Sequence, residues 1–95
     1  MKSLPADVQP YKRTPEFTEL TVPAGLLKGH STKAGVWATI VVLQGSLLYR
    51  ILEPVVEDVE LAPGRLGIVE PTVLHEVALR PGTRFYVEFQ RVPAD

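Results

Sequence analysis

The sequence predicts an all-β domain, a sandwich or small barrel of antiparallel strands, and three observations carry that expectation. Glycine or proline stands at positions 5, 10, 15, 23, 25, 29, 35, 45, 54, 63, 64, 67, 71, 81, 82 and 93, so the longest stretch free of both, 83–92, is ten residues. An average helix needs about 11–12 residues, and a proline inside one costs ~3 kcal/mol, so a helical fold has nowhere to form. Between these breakers the chain holds 13 valines, 3 isoleucines and 7 threonines, whose stiff, branched side chains suit a pleated and half-buried surface. Several segments also alternate apolar and polar residues, as a strand with one buried face does.

Taken in order, residues 1–15 carry prolines at 5, 10 and 15 and are expected as an extended arm over the barrel or a partner subunit. Residues 16–92 hold the β domain, with strands expected near 16–22, 36–44, 46–53, 55–61, 66–70, 73–79 and 84–91. The run Val36–Leu43 is apolar on both faces apart from Thr39, which marks a central, doubly covered strand. Gln44-Gly45-Ser46 reads as a hairpin turn joining that strand to the next, with Gly45 at the positive-φ position. In 55–61, Val55, Val59 and Leu61 share one face while Val56, Asp58 and Glu60 share the other. Pro63-Gly64 and Pro81-Gly82 are the strongest turn dipeptides. In 73–79, Val73, His75, Val77 and Leu79 oppose Leu74, Glu76 and Ala78. In 84–91, Phe85, Val87 and Phe89 oppose Arg84, Tyr86, Glu88 and Gln90.

Composition narrows the function classes. Ten Lys+Arg against 11 Asp+Glu give a net charge of −1, with no electrostatic footprint for nucleic acid or an anionic membrane. The absence of cysteine excludes a disulfide scaffold, a thiolate zinc site and a cysteine nucleophile. No run approaches the ~18 apolar residues of a membrane span, and the start MKSLPADVQP lacks the apolar core of a signal peptide, so a cytoplasmic location is expected.

The chain has two histidines, His30 and His75. Each has two readings. They converge between strands as metal ligands or an acid/base pair, or His75 is a core histidine bonded to backbone and His30 a loop residue facing water. Glu88 and Glu70 are the carboxylates that complete a ligand set, against the alternative of plain solvent-facing residues; Glu76 points away from His75 by strand alternation. Trp37, Tyr49 and Tyr86 are candidates to line a ligand pocket, while Phe85 and Phe89 read as core. Arg50 and Arg84 offer an anion site or a solvated strand face. The sequence contains no GxSxG, P-loop or GxGxxG motif.

Four ordered blocks resemble the TehB/YeaR-like family. They are His30-Ser-Thr32-Lys33-Ala-Gly35-Val-Trp37, Val42-Leu43-Gln-Gly45-Ser-Leu47, Pro71-Thr-Val-Leu-His75 and Phe85-Tyr-Val-Glu88-Phe89. The resemblance runs from about Tyr11 to Gln90 and implies a cupin-like double-stranded β-helix, a jelly-roll barrel. Cupins commonly hold a divalent metal through a motif resembling Gly-x5-His-x-His-x3–4-Glu-x6-Gly and a histidine from a second motif. By that resemblance His30 falls in the first motif and His75 in the second. Thr32 stands where a second histidine belongs, and Ala38 stands at the acidic position. The metal set expected from the resemblance is His30 and His75 with Glu88, Glu70 or water completing it, Glu88 being preferred, around zinc, iron or nickel.

The family is associated with tellurite resistance through a fused methyltransferase that this chain lacks, so no S-adenosylmethionine site is carried over. The expectation is a small cytoplasmic protein that binds a metal ion or small ligand in its barrel, in a stress or oxyanion-resistance context, and pairs as a homodimer. The alternatives are a metal-dependent enzyme of oxygenase or isomerase type and a ligand-free interaction module with structural histidines.

Overall fold

Eight strands form among the described residues: β1 (Gln9–Arg13), β2 (Phe17–Thr18), β3 (Trp37–Gln44), β4 (Leu47–Ile51), β5 (Glu57–Leu61), β6 (Gly67–Val69), β7 (His75–Leu79) and β8 (Arg84–Arg91). This computed structural model describes residues 1–94. One 3-10 turn, Ala24–Leu27, follows Pro23. The strands make two antiparallel sheets. The first runs β1-β8-β3-β6, with β2 also paired to β8, and the second runs β5-β4-β7. The expected all-β class is therefore observed, as two separate sheets that do not close into a barrel.

The core lies between the sheets and is built by alternation. Ala38, Ile40 and Val42 of β3, Val69 of β6, and Phe85 and Val87 of β8 face Leu47, Tyr49, Val59, Leu61 and Val77 of the second sheet. The other face of β4, β5 and β7 is charged. There Arg50 pairs with Asp58 at 2.8 Å, and Arg80 on the loop after β7 pairs with Glu60 at 2.8 Å. β3 is central, as its doubly apolar sequence requires, and Thr39 on its outer side is buried beside Gln90.

Three expectations need correction. The strand expected over 16–22 stops at Thr18, because the Thr18 carbonyl accepts the N–H groups of Thr21 and Val22 at 3.1 and 2.9 Å and turns the chain. Part of the expected arm, residues 9–13, is an edge strand paired to β8, with Tyr11 bulged out between Pro10 and Lys12. Finally, Gln44-Gly45-Ser46 does not close a hairpin. β3 and β4 lie in different sheets, so this turn carries the chain from one to the other.

The turns after β5, β6 and β7 also change sheets, and β4–β5 is a hairpin within one sheet. Two of the crossings brace one another. Gln44 Nε2 donates to Gly82 O at 3.2 Å, Arg80 N–H donates to Ser46 O at 3.2 Å, and the buried Thr83 hydroxyl lies between the carbonyls of Ser46 and Arg80. Gly45 has φ +74°, and a Cβ there would sit 2.9 Å from Thr83 Cα.

Candidate functional site

Two loops distant in sequence meet beside β7. One is the segment from His30 into β3; the other is the Pro71–Leu74 turn that feeds β7. His30 N–H donates to His75 O at 2.7 Å, His75 N–H returns a bond to His30 O at 2.8 Å, and Thr72 N–H reaches Thr32 O at 3.1 Å. Thr72 adopts φ +65°, a region that branched residues rarely occupy, and its bond to Thr32 holds it there. The backbone thereby fixes the relative position of the two histidine-bearing blocks.

Their rings are in contact, with centroids 5.4 Å apart and planes at 77°. His75 is only 5% exposed, and its Nδ1 lies 3.1 Å from Val73 O. A carbonyl only accepts, so Nδ1 carries the proton in that bond and Nε2 keeps its lone pair. Burial pushes the His75 pKa below the ordinary histidine value; the Val73 carbonyl opposes this and the charge of His30 adds to it. A neutral imidazole with a committed Nδ1–H is the form that can ligate a metal or accept a proton at Nε2. Tyr49 packs edge-on against the same ring at 5.7 Å and donates its hydroxyl to Ile68 O at 2.9 Å. Burial, then the negative charges of Glu57 and Glu70, raise its pKa.

Space around the pair is divided. A cavity of about 40 Å³ between the sheets is lined by His30, Thr32, Ala38, His75, Val87 and Phe89 among others. That is room for a water molecule or a bare ion and little more. A groove of about 260 Å³ adjoins it, sharing His30, Thr32 and Phe89 and adding Tyr11, Lys12, Ser31, Lys33 and Val36. A larger cavity of about 490 Å³ lies on the other side of Tyr49, with Ile51, Glu53, Glu57, Glu70 and Val73 in its wall.

The family model of the TehB-like domain matches residues 12–87, most of the chain and all four blocks up to Val87. The chain belongs to the TehB-like domain family. TehB from Haemophilus influenzae superposes with a TM-score of 0.83 at 27% identity, over 92% of this chain and 32% of that one. The TehB-like domain described here thus spans about a third of TehB. A protein from E. coli (strain K12) superposes with a TM-score of 0.88 at 21% identity, over 99% of this chain and 100% of that one. Comparison with curated protein sequences finds no match.

The TehB-like fold brings some candidates together and separates others. His30, His75 and Tyr49 meet. Glu88 does not join them: it sits on the opposite face of β8 from Phe85, Val87 and Phe89, and Arg13 Nη2 bonds its carboxylate at 3.2 Å. Tyr86 shares that outer face, with the Arg13 guanidinium 4.2 Å from its ring centroid. Trp37, half-buried, stands opposite Gln90 in the β3–β8 register and lines none of these three cavities. Trp37, Tyr49 and Tyr86 therefore do not enclose one pocket. Glu70 lies across Tyr49 in the larger cavity. Arg50 and Arg84 are paired, with Asp58 and with Glu16 at 3.2 Å. Sequence reading missed Lys12, Ser31 and Lys33 as groove residues. Ser31 and Lys33 sit inside the first family block, which was the available signal; Lys12 had none, because its strand is interrupted by Pro10.

Proposed function

We propose that this TehB-like domain is a small cupin-like binding module of the jelly-roll type that holds a divalent metal ion or a small ligand at His30 and His75. The observation that carries the reading is the contact of the chain's two histidines, 45 positions apart in sequence, at 5.4 Å between ring centroids. The sheet-changing connections after β3, β5, β6 and β7 support the jelly-roll description.

His30 and His75 would supply two imidazole donors of a metal set. The ring contact, with centroids 5.4 Å apart, supports this, and the His75 Nδ1–H bond to a carbonyl is the usual orienting contact of a ligating histidine. The remaining positions offer nothing further: the Thr32 hydroxyl is committed to Val36 O at 2.6 Å, Ala38 carries no donor, and Glu88 faces away. Water or the ligand itself completes the set. A zinc, iron or nickel ion bound there would supply a Lewis-acidic centre to a group entering the small cavity.

Metal analysis of protein purified without a histidine tag tests this, alongside His30→Ala and His75→Ala. Stoichiometric metal that both substitutions abolish is the expected result. A wild-type protein whose histidine NMR signals ignore added zinc, iron and nickel, and which retains no small molecule, would sink the reading.

A further inference from the structure

The groove of about 260 Å³ beside the histidines brings together cationic side chains that make no ion pair among the described residues. Among the described residues, every ion pair uses an arginine or the N-terminal amine, and none uses a lysine. Two of the four lysines, Lys12 and Lys33, line this one groove, together with His30 and the Ser31 hydroxyl. Arg91 stands close behind, its guanidinium stacked 4.0 Å from the centroid of the Tyr11 ring that forms one wall. Among the described residues no carboxylate lines the groove, and Glu88, the acidic residue nearest in the β1–β8 register, is already bonded to Arg13. Such a cluster, without ion-pair partners among the described residues, carries a positive potential.

The walls define the rest of the ligand. Tyr11, Val36 and Phe89 give the groove aromatic and apolar sides. A bare hydrated inorganic anion gains nothing from them, whereas a flat or apolar body does. The volume lies just below the usual range for drug-sized ligands, so the occupant is small. The adjoining 40 Å³ cavity admits nothing larger than a methyl-sized group past His30.

We infer that this groove binds a small organic acid, its carboxylate held between Lys12 and Lys33 and its apolar body against Tyr11, Val36 and Phe89. The site stands beside the histidine site proposed above and shares His30 with it, but it requires neither a metal nor His75.

NMR titration with benzoate, with a chelator present throughout, tests the inference. Benzoate is expected to shift the signals of Tyr11, Lys33 and Phe89, and to bind about tenfold or more weakly in Lys12→Gln/Lys33→Gln. Lys2→Gln/Lys28→Gln, which removes equal charge elsewhere, is expected to bind as wild type. The chelator keeps the groove distinct from the histidine reading, since benzoate that binds with metal sequestered needs no metal at His30 and His75. Acetate and inorganic phosphate, run as parallel probes, are expected to bind more weakly than benzoate. Three outcomes would overturn the inference: unchanged affinity in Lys12→Gln/Lys33→Gln, equal loss in the Lys2/Lys28 control, or phosphate matching benzoate. Circular dichroism confirms that each variant is folded, and the single substitutions Lys12→Gln and Lys33→Gln repeat the test if the double variant is not.

Discussion

Replacing Gly45 by alanine tests how tightly the two sheet-crossing turns are braced. The backbone there has φ +74°, and left-handed geometry costs an L-residue about 1–2 kcal/mol, of which about 0.4–1 kcal/mol returns because alanine also restricts the unfolded chain. The same sum applies at Gly35, φ +79°, where an added Cβ meets nothing within 4 Å. Gly45 differs in its surroundings: the new Cβ would lie 2.9 Å from Thr83 Cα and 3.0 Å from Gly82 O, both backbone atoms. Relief requires the 44–46 turn to part from the 81–83 turn, straining the Thr83–Ser46 and Gln44–Gly82 bonds, and overpacking of this kind costs about 1–3 kcal/mol. Gly45→Ala should therefore destabilise by about 1–4.5 kcal/mol, about 1–3 kcal/mol more than Gly35→Ala. Urea denaturation of both variants, compared at equal m-value, measures the difference. If the two substitutions cost the same within about 0.5 kcal/mol, the brace between the turns contributes nothing and the argument fails.

His75 and Tyr49 yield two further expectations. Because burial depresses the His75 pKa, the unfolded chain binds the proton more readily than the folded one. The resulting stability is complete above the ordinary histidine pKa near 6.5 and is lost as pH falls below it, by at most about 1.4 kcal/mol per unit. Urea midpoints between pH 8 and pH 5 should fall more steeply in wild type than in His75→Gln; parallel profiles would refute this. Tyr49→Phe leaves Ile68 O without the hydroxyl that bonds it and should cost about 1–2 kcal/mol, read as a lowered Tm, while an unchanged Tm would show that the carbonyl finds another partner.

Much of this architecture is written in local pattern. The period-two runs in 73–79 and 84–91 place His75, Val77, Phe85 and Val87 inward as observed. The same alternation sets Glu88 outside, which argues against its pairing with His75 before any coordinates are seen. What escaped the sequence has a common physical cause. Gln44-Gly45-Ser46 carries the same local turn chemistry whether it returns a strand to its neighbour or hands it to the facing sheet; only the contact with Gly82 and Thr83, nearly forty residues on, decides. β1 escaped because Pro10 breaks its pattern, and it forms through pairing with β8. The meeting of His30 with His75 likewise rests on backbone bonds between distant segments, which no spacing rule encodes. The family blocks located both histidines without fixing how their rings meet.

The sheet-changing connections also set the order in which this chain can assemble. The β4–β5 hairpin can form from neighbouring residues, while the bridge from His30 to His75, the pairing of β1 with β8 and the β3–β8 ladder each close a loop of some forty or more residues first. Loop entropy is spent before those contacts return anything, and folds of this kind reach their native state in milliseconds to seconds. The histidine site cannot exist in a half-folded chain. Any ligand that needs both imidazoles binds after the sheets have docked, and its binding slows unfolding while leaving the folding rate unchanged.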